Sequence, residues 1–237
     1  MSWLRRYRAW ALAAALIAAA PGCTSNGGPA RATHPSGATT PTVTTPTVAT
    51  PAVTTVAPTP TAAAHYVFPV GAHADYARDH HDYPASDIIA DCGSPVLAAA
   101  DGVILEVSRV DTFDLAHPLG AAKGGLSVSI RGDDGVRYYG SHLSAIAAGI
   151  DAGVRVSAGT LLGEVGHTGN ANNICHLHFG ISPPCAGTGD WWNRRGVIWP
   201  WRYLDAWRTG QNLSAVGEVT AWQTLHGCPT QPPAGEV

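Results

Sequence analysis

From His65 to about Ile181 the chain consists of short runs of β-branched or alternating apolar residues, each cut off by Gly, Asp or Asn. Residues 95–100, 102–107, 126–131, 136–139, 160–165 and 176–181 all have this form. Runs this short cannot build long helices, and period-2 alternation between turn residues predicts strands. Asp133-Asp134-Gly135 lies between two such runs and predicts a hairpin. Residues 149–163 read as short strand, turn, short strand. One helix is expected, late in the chain, with Pro200 at its first turn and Trp201, Leu204 and Trp207 along one face of Trp201–Arg208. The expectation is therefore a mainly β domain over residues 65–237, an antiparallel sheet or sandwich with a small C-terminal helical cap.

The first 64 residues have a different character. Arg5, Arg6 and Arg8 precede an apolar stretch at 9–20 and then Pro21-Gly22-Cys23. A cationic start followed by about a dozen apolar residues reads as an export signal, too short for the roughly 20 residues that span a bilayer. Gly-Cys at its end has the form of a bacterial lipoprotein cleavage site, which makes Cys23 the expected lipid-bearing N-terminus. The expected location is the cell envelope outside the cytoplasm, with membrane contact only through that lipid. Residues 24–64 are dominated by Thr, Pro, Ala and Val, with Arg31 as the single charge. Such a segment buries too little apolar surface to offset its chain entropy and is expected to act as an extended linker.

Charge separates the function classes. Residues 65–237 hold 10 basic residues against all 17 acidic ones, a net of −7. Nucleic-acid binding needs a basic face and is not expected. Four cysteines fall in the domain, Cys92, Cys175, Cys185 and Cys228. An even number in an exported domain implies two disulfides, with three connectivities open.

The histidines, eleven in all, carry the chemistry. In His176-Leu177-His178-Phe179, strand alternation turns both imidazoles to one face. A second group, His80-His81-Asp82-Tyr83-Pro84-Ala85-Ser86-Asp87, offers a nitrogen and an oxygen across a Pro-containing turn. With a strand histidine these make a three-ligand zinc set that keeps one position for water. The third element is His142, in Tyr138-Tyr139-Gly140-Ser141-His142-Leu143. No His-Glu-x-x-His helix is present to supply a glutamate base.

In their order along the chain, these pieces together with Gly93-Ser94-Pro95-Val96, Ala99-Ala100-Asp101-Gly102-Val103 and the Gly-rich stretch 159–169 resemble the lysostaphin-like (LytM-type) peptidoglycan metalloendopeptidases. The resemblance covers about residues 68–182. Residues 81–88 with Cys92, Cys175 and Cys185 resemble the exported actinobacterial-type branch of that family. The resemblance implies one zinc ion held by His81, Asp87 and His178, His81 being preferred over its neighbour His80. It implies His142 and His176 as the catalytic pair, His176 taking the proton of the attacking water and His142 stabilising the oxyanion, with the roles interchangeable. The implied substrate is a peptide of peptidoglycan, its stem or its cross-link, bound by a monomer in a groove. Residues 111–120, Gly124-Gly125 and 168–173 are expected to wall that groove. The alternative is a catalytically silent relative that scaffolds or activates another wall hydrolase. Among the aromatic residues 191–207, packing against the sheet is expected to outweigh sugar stacking.

Overall fold

The structure is a computed structural model, and it describes residues 64–236. The expected export signal, Cys23 and the linker up to residue 63 lie outside the described residues. Nine strands make one antiparallel sheet among the described residues: β1 (Asp75–Tyr76), β2 (Ser86–Ile89), β3 (Pro95–Leu97), β4 (Gly102–Ser108), β5 (Leu126–Gly132), β6 (Arg137–Ile146), β7 (Arg155–Val156), β8 (Leu161–Val165) and β9 (His176–Ser182). The main path runs β1-β2-β9-β6-β5-β4-β7, and β8 joins β3 to the second half of β6. Three helices follow, α1 (Trp191–Arg194), α2 (Trp201–Arg208) and α3 (Val216–His226). No helix of the described residues is long and apolar enough to cross a membrane.

The strands form where alternation and turns call for them. Gly135, at φ 81°, and the Gly132 N–H donating to the Val136 carbonyl (2.8 Å) close the expected hairpin between β5 and β6. On β9, Leu177, Phe179 and Ile181 enter the core with Ile88, Ile104, Val128, Ile130 and Tyr138. α2 covers one end of that core. Its buried face is Tyr203, Leu204, Ala206 and Trp207, whereas Trp201 stays half-buried with the Arg78 guanidinium 4.5 Å from its ring. Trp207 stacks on Tyr66 at 5.3 Å and meets Phe179 edge-on, so this tryptophan packs as the sequence suggests.

Two pieces were not legible beforehand. Residues 86–89 form strand β2 rather than continuing the turn, with Asp87 opposite His178 on β9. α3 buries only Val219 among its eleven residues, too weak an apolar stripe to announce a helix. The disulfides are Cys92–Cys175 and Cys185–Cys228. The first ties the segment after β2 to the residue before β9, two places that the β2–β9 pairing already brings together.

A buried ion pair locks α1 to the sheet. Arg137 on β6 is fully buried, and its two terminal nitrogens grip Asp190 at 2.6 and 2.8 Å. Its remaining donors reach the Ser182 hydroxyl (3.0 Å) and the Pro183 carbonyl (3.1 Å). A buried guanidinium is tolerated only when paired and hydrogen-bonded in this way.

Candidate metal centre and catalytic cleft

Four histidines and one carboxylate converge on a cavity of about 480 Å³: His80, Asp87, His142, His176 and His178. Asp87 and His178 meet because β2 pairs with β9 in that register, and Ser141 of β6 lies opposite His178 on the other side. Alternation then places His176 on the same face as His178.

His142 reaches the cavity by a different route. Along β6, Tyr138 and Leu143 belong to the core, while Tyr139 and Ser141 line the cavity. Strict alternation would send His142 to the core side. The register against β5 jumps from Ser127–Ser141 to Leu126–Leu143, so His142 is an extra residue, and its φ is 67°. This bulge re-aims the imidazole into the cavity at the cost of an uncommon left-handed backbone. Thr168 clamps the bulge: its hydroxyl donates to the Leu143 carbonyl (2.8 Å) and accepts from the Leu126 N–H (3.0 Å). The His142 N–H donates to the Gly124 carbonyl at 2.9 Å.

Backbone carbonyls set the tautomers of all four rings. A carbonyl only accepts, so the ring nitrogen beside it carries the proton and the other nitrogen presents a lone pair. The Nδ1 groups of His80, His142 and His176 donate to the carbonyls of Tyr83 (3.1 Å), Thr168 (2.7 Å) and Ile174 (2.8 Å). In each of these rings Nε2 is left free. For His178 the arrangement is inverted: Nε2 donates to the Arg195 carbonyl at 2.8 Å, and Nδ1 faces Asp87 Oδ1 at 3.0 Å. Gly180 makes this approach feasible, since a Cβ there would sit 2.4 Å from the Arg195 carbonyl oxygen.

The donor set fits a metal ion. His178 Nδ1 and Asp87 Oδ1 are two acceptors 3.0 Å apart, and a cation shared between them relieves their repulsion. His80 Nε2 lies 3.7 Å from the same Asp87 oxygen, and the three ligand atoms fall within 4.8 Å of one another. A tetrahedral zinc with bonds near 2.0–2.2 Å places its ligand atoms about 3.3–3.6 Å apart. A carbonyl behind each imidazole is the usual support of a metal-ligating histidine.

The environment keeps these groups in metal-binding form. Burial, reinforced by His178 and His176, pushes the His142 pKa down to about 3, and burial with His178 also lowers that of His80. Burial alone would raise the Asp87 carboxyl. Contact with His178, which donates to Asp87 whenever its Nδ1 is protonated in the metal-free protein, and the charge that His176 and His80 then carry outweigh it and hold the group well below the ordinary carboxylate range.

Of the residues expected from the sequence, Asp87, His142, His176 and His178 come together here. His81 also lines the cavity, with an exposed side chain, and the group close enough to hold a metal ion is His80, Asp87 and His178. The two adjacent rings are 5.0 Å apart, and the Tyr83 carbonyl holds that of His80. The expected walls are placed in part: Gly120, Gly124, Asn170 and Asn172 line the cavity. Asn172 and Asn173 have φ of 51° and 62°, which accounts for asparagine in that turn. Trp191 faces the cavity instead of packing in the core, and with Lys123, Arg194, Arg195 and Glu236 it forms a wall that sequence reasoning did not find.

Residues 81–188 match the model of Peptidase family M23. The match takes in just under half of the chain. This agrees with the lysostaphin-like resemblance of its motifs. The chain is similar to the catalytic domain of the antimicrobial peptidase lysostaphin from Staphylococcus simulans, with 22% identity over 56% of this chain and 92% of that one, at a TM-score of 0.43. It is similar also to a structure described as a putative glycyl-glycine endopeptidase LytM from Ruminococcus gnavus (21% identity, 62% of each chain, TM-score 0.47). A zinc-containing peptidase from Vibrio cholerae matches at 20% identity over 49% of this chain and 36% of that one, with a TM-score of 0.36. This chain spans less than two thirds of the latter two structures. No curated protein matches the sequence.

Proposed function

We propose that this domain is an M23-type, zinc-dependent endopeptidase that hydrolyses peptide bonds in the stem or cross-link of bacterial peptidoglycan. The observation that carries this reading is the convergence of four backbone-fixed imidazoles and one carboxylate, every free nitrogen unprotonated, in one open cavity. His80, Asp87 and His178 would hold the ion. Bound there, zinc supplies a Lewis acid that polarises the scissile carbonyl and acidifies water.

The protein's own groups handle the proton. His176 Nε2 faces Asp87 Oδ1 at 3.7 Å, so a proton taken up by His176 gains a carboxylate neighbour. We therefore assign His176 as the base that accepts the proton of the attacking water and returns it to the leaving amine. His142, its ring 4.7 Å from that of His176, presents an acceptor in the tautomer that Thr168 fixes. To donate to the oxyanion its Nε2 must bind a second proton from solvent, which the developing negative charge favours against the burial of the ring. Asn170, Ala171 and Asn172 line the cavity, and an extended peptide would lie along that turn.

The domain is read as acting outside the cytoplasm, where its two disulfides persist, with Cys23 lipidated and residues 24–64 as the tether. The second reading, a silent scaffold, is disfavoured because no ligand or catalytic position is vacant. One zinc per chain together with release of soluble peptides from purified wall, abolished by chelator, supports the enzyme. Full zinc content without turnover supports the scaffold.

A further inference from the structure

One wall of the cavity comes from residues beyond the family match at 81–188: Trp191, Arg194, Arg195 and Glu236. Arg195 is the central member. Its backbone carbonyl fixes His178, and its guanidinium lies 3.8 Å from the Tyr83 ring centroid and 5.2 Å from that of Trp191. Both terminal nitrogens donate to the Glu236 carboxylate, at 2.5 and 2.9 Å. Lys123 lines the same cavity and, with Arg195, holds the Glu236 carboxyl below its ordinary value. Arg194, by contrast, is already committed to Glu106.

Among the described residues, the segment that carries Glu236 is fastened upstream. Cys228 is bridged to Cys185, and the Pro229 carbonyl accepts from Trp192 Nε1 (3.0 Å) and Asn193 Nδ2 (3.2 Å). Between Pro229 and Glu236 the residues are mostly exposed. The Glu236 carboxylate does not exhaust the arginine either: Arg195 Nε is buried without a partner. A planar guanidinium in contact with aromatic rings and lining the same cavity as the histidine cluster is preorganised for a carboxylate.

We propose that Arg195, assisted by Lys123, is a carboxylate-binding subsite of the cleft, that the substrate is a peptide with a free carboxylate near the scissile bond, and that Glu236 occupies the subsite as an internal competitor. The proposal rests on the peptidase reading and adds the substrate class to it. A charge-assisted bidentate pair of this kind discriminates an acid from its neutral amide by about 10- to 100-fold. The tethered Glu236 carboxylate lowers the apparent affinity for any peptide carboxylate that must displace it.

The test uses two cross-linked wall peptides identical except that one carboxyl is free in the first and amidated in the second. With the full chain, kcat/KM for the acid should exceed that for the amide at least tenfold. Glu236→Gln should widen that ratio through a lower KM for the acid, and Arg195→Gln should bring it to within about twofold of unity. Arg195→Lys should retain part of the preference. Loss of folding or of metal lowers both rates together and leaves the ratio in place, so the ratio reads the subsite alone. A wild-type ratio near one, or a ratio unchanged in Arg195→Gln, overturns the proposal while leaving the peptidase reading intact. If neither peptide is cleaved, the peptidase reading fails. Calorimetric binding of the same pair to the full chain then decides the subsite, tighter binding of the acid supporting it and equal binding refuting it.

Discussion

Gly180→Ala isolates the support of the candidate metal centre from the ligands themselves. The new Cβ would lie 2.4 Å from the Arg195 carbonyl oxygen, 2.6 Å from its carbon and 2.9 Å from the Arg194 oxygen. Carbon–oxygen contacts relax to about 3.3 Å or beyond, so the Arg195 carbonyl must withdraw by roughly 0.9 Å. The only polar contact of His178 Nε2 is to that oxygen, at 2.8 Å. Withdrawal on this scale lengthens it to about 3.5 Å, past a useful hydrogen bond. The ring then loses its fixed tautomer, and the Nδ1 lone pair no longer points reliably at Asp87. Loss of such outer support typically costs 10- to 100-fold in metal affinity, and the overpacking adds about 1–3 kcal/mol of destabilisation. Zinc affinity measured against a competing chelator should fall by that factor, with urea denaturation confirming a folded variant. Zinc binding within twofold of wild type in a folded Gly180→Ala protein would refute the reasoning that the Arg195 carbonyl orients the ligand.

Three further outcomes follow from the same structure. His80→Ala should lose stoichiometric zinc while His81→Ala keeps it, as measured by metal content after gel filtration, and the reverse pattern would restore His81 as the ligand. Asp190→Ala leaves the Arg137 guanidinium buried and unpaired, and should cost about 3–5 kcal/mol in denaturant unfolding; a cost below 1 kcal/mol would show that water relieves the charge. In metal-free protein, the unfolded chain takes up a proton on His142 near pH 6.5 that the folded chain resists down to about 3. Stability therefore falls as pH drops from 6.5, by about 2 kcal/mol at pH 5 from this group, and His142→Asn should remove that part of the pH dependence of the urea midpoint.

The sheet was legible because its signals are local. Gly135 closes the expected hairpin, and Leu177 and Phe179 alternate with His176 and His178, as a strand between core and cavity requires. α2 spans the predicted residues because Pro200 and the Leu204/Trp207 pair mark its start and its buried face. The illegible parts depend on the rest of the fold. His80 and His81 are neighbours of one chemistry, and the fold alone distinguishes them: His80 meets the Tyr83 carbonyl and Asp87, and His81 stays exposed. The left-handed bulge at His142 follows from Thr168, a residue 26 positions later, and the support of His178 comes from Arg195, 17 positions later. The cysteine pairing follows from β2 lying beside β9, which no spacing reveals. Arg195 and Glu236 read as ordinary surface charges until the segment beyond α3 returns to the cavity.

The central claim is that this cavity hydrolyses peptide bonds with a metal held by His80, Asp87 and His178. Mass analysis of a defined cross-linked wall peptide incubated with the zinc-loaded protein tests it most directly. The account predicts two products whose summed mass exceeds the substrate by one water, a new amine and a new carboxylate at one peptide bond, with cleavage lost in Asp87→Ala. An intact substrate in the presence of fully zinc-loaded protein would contradict it.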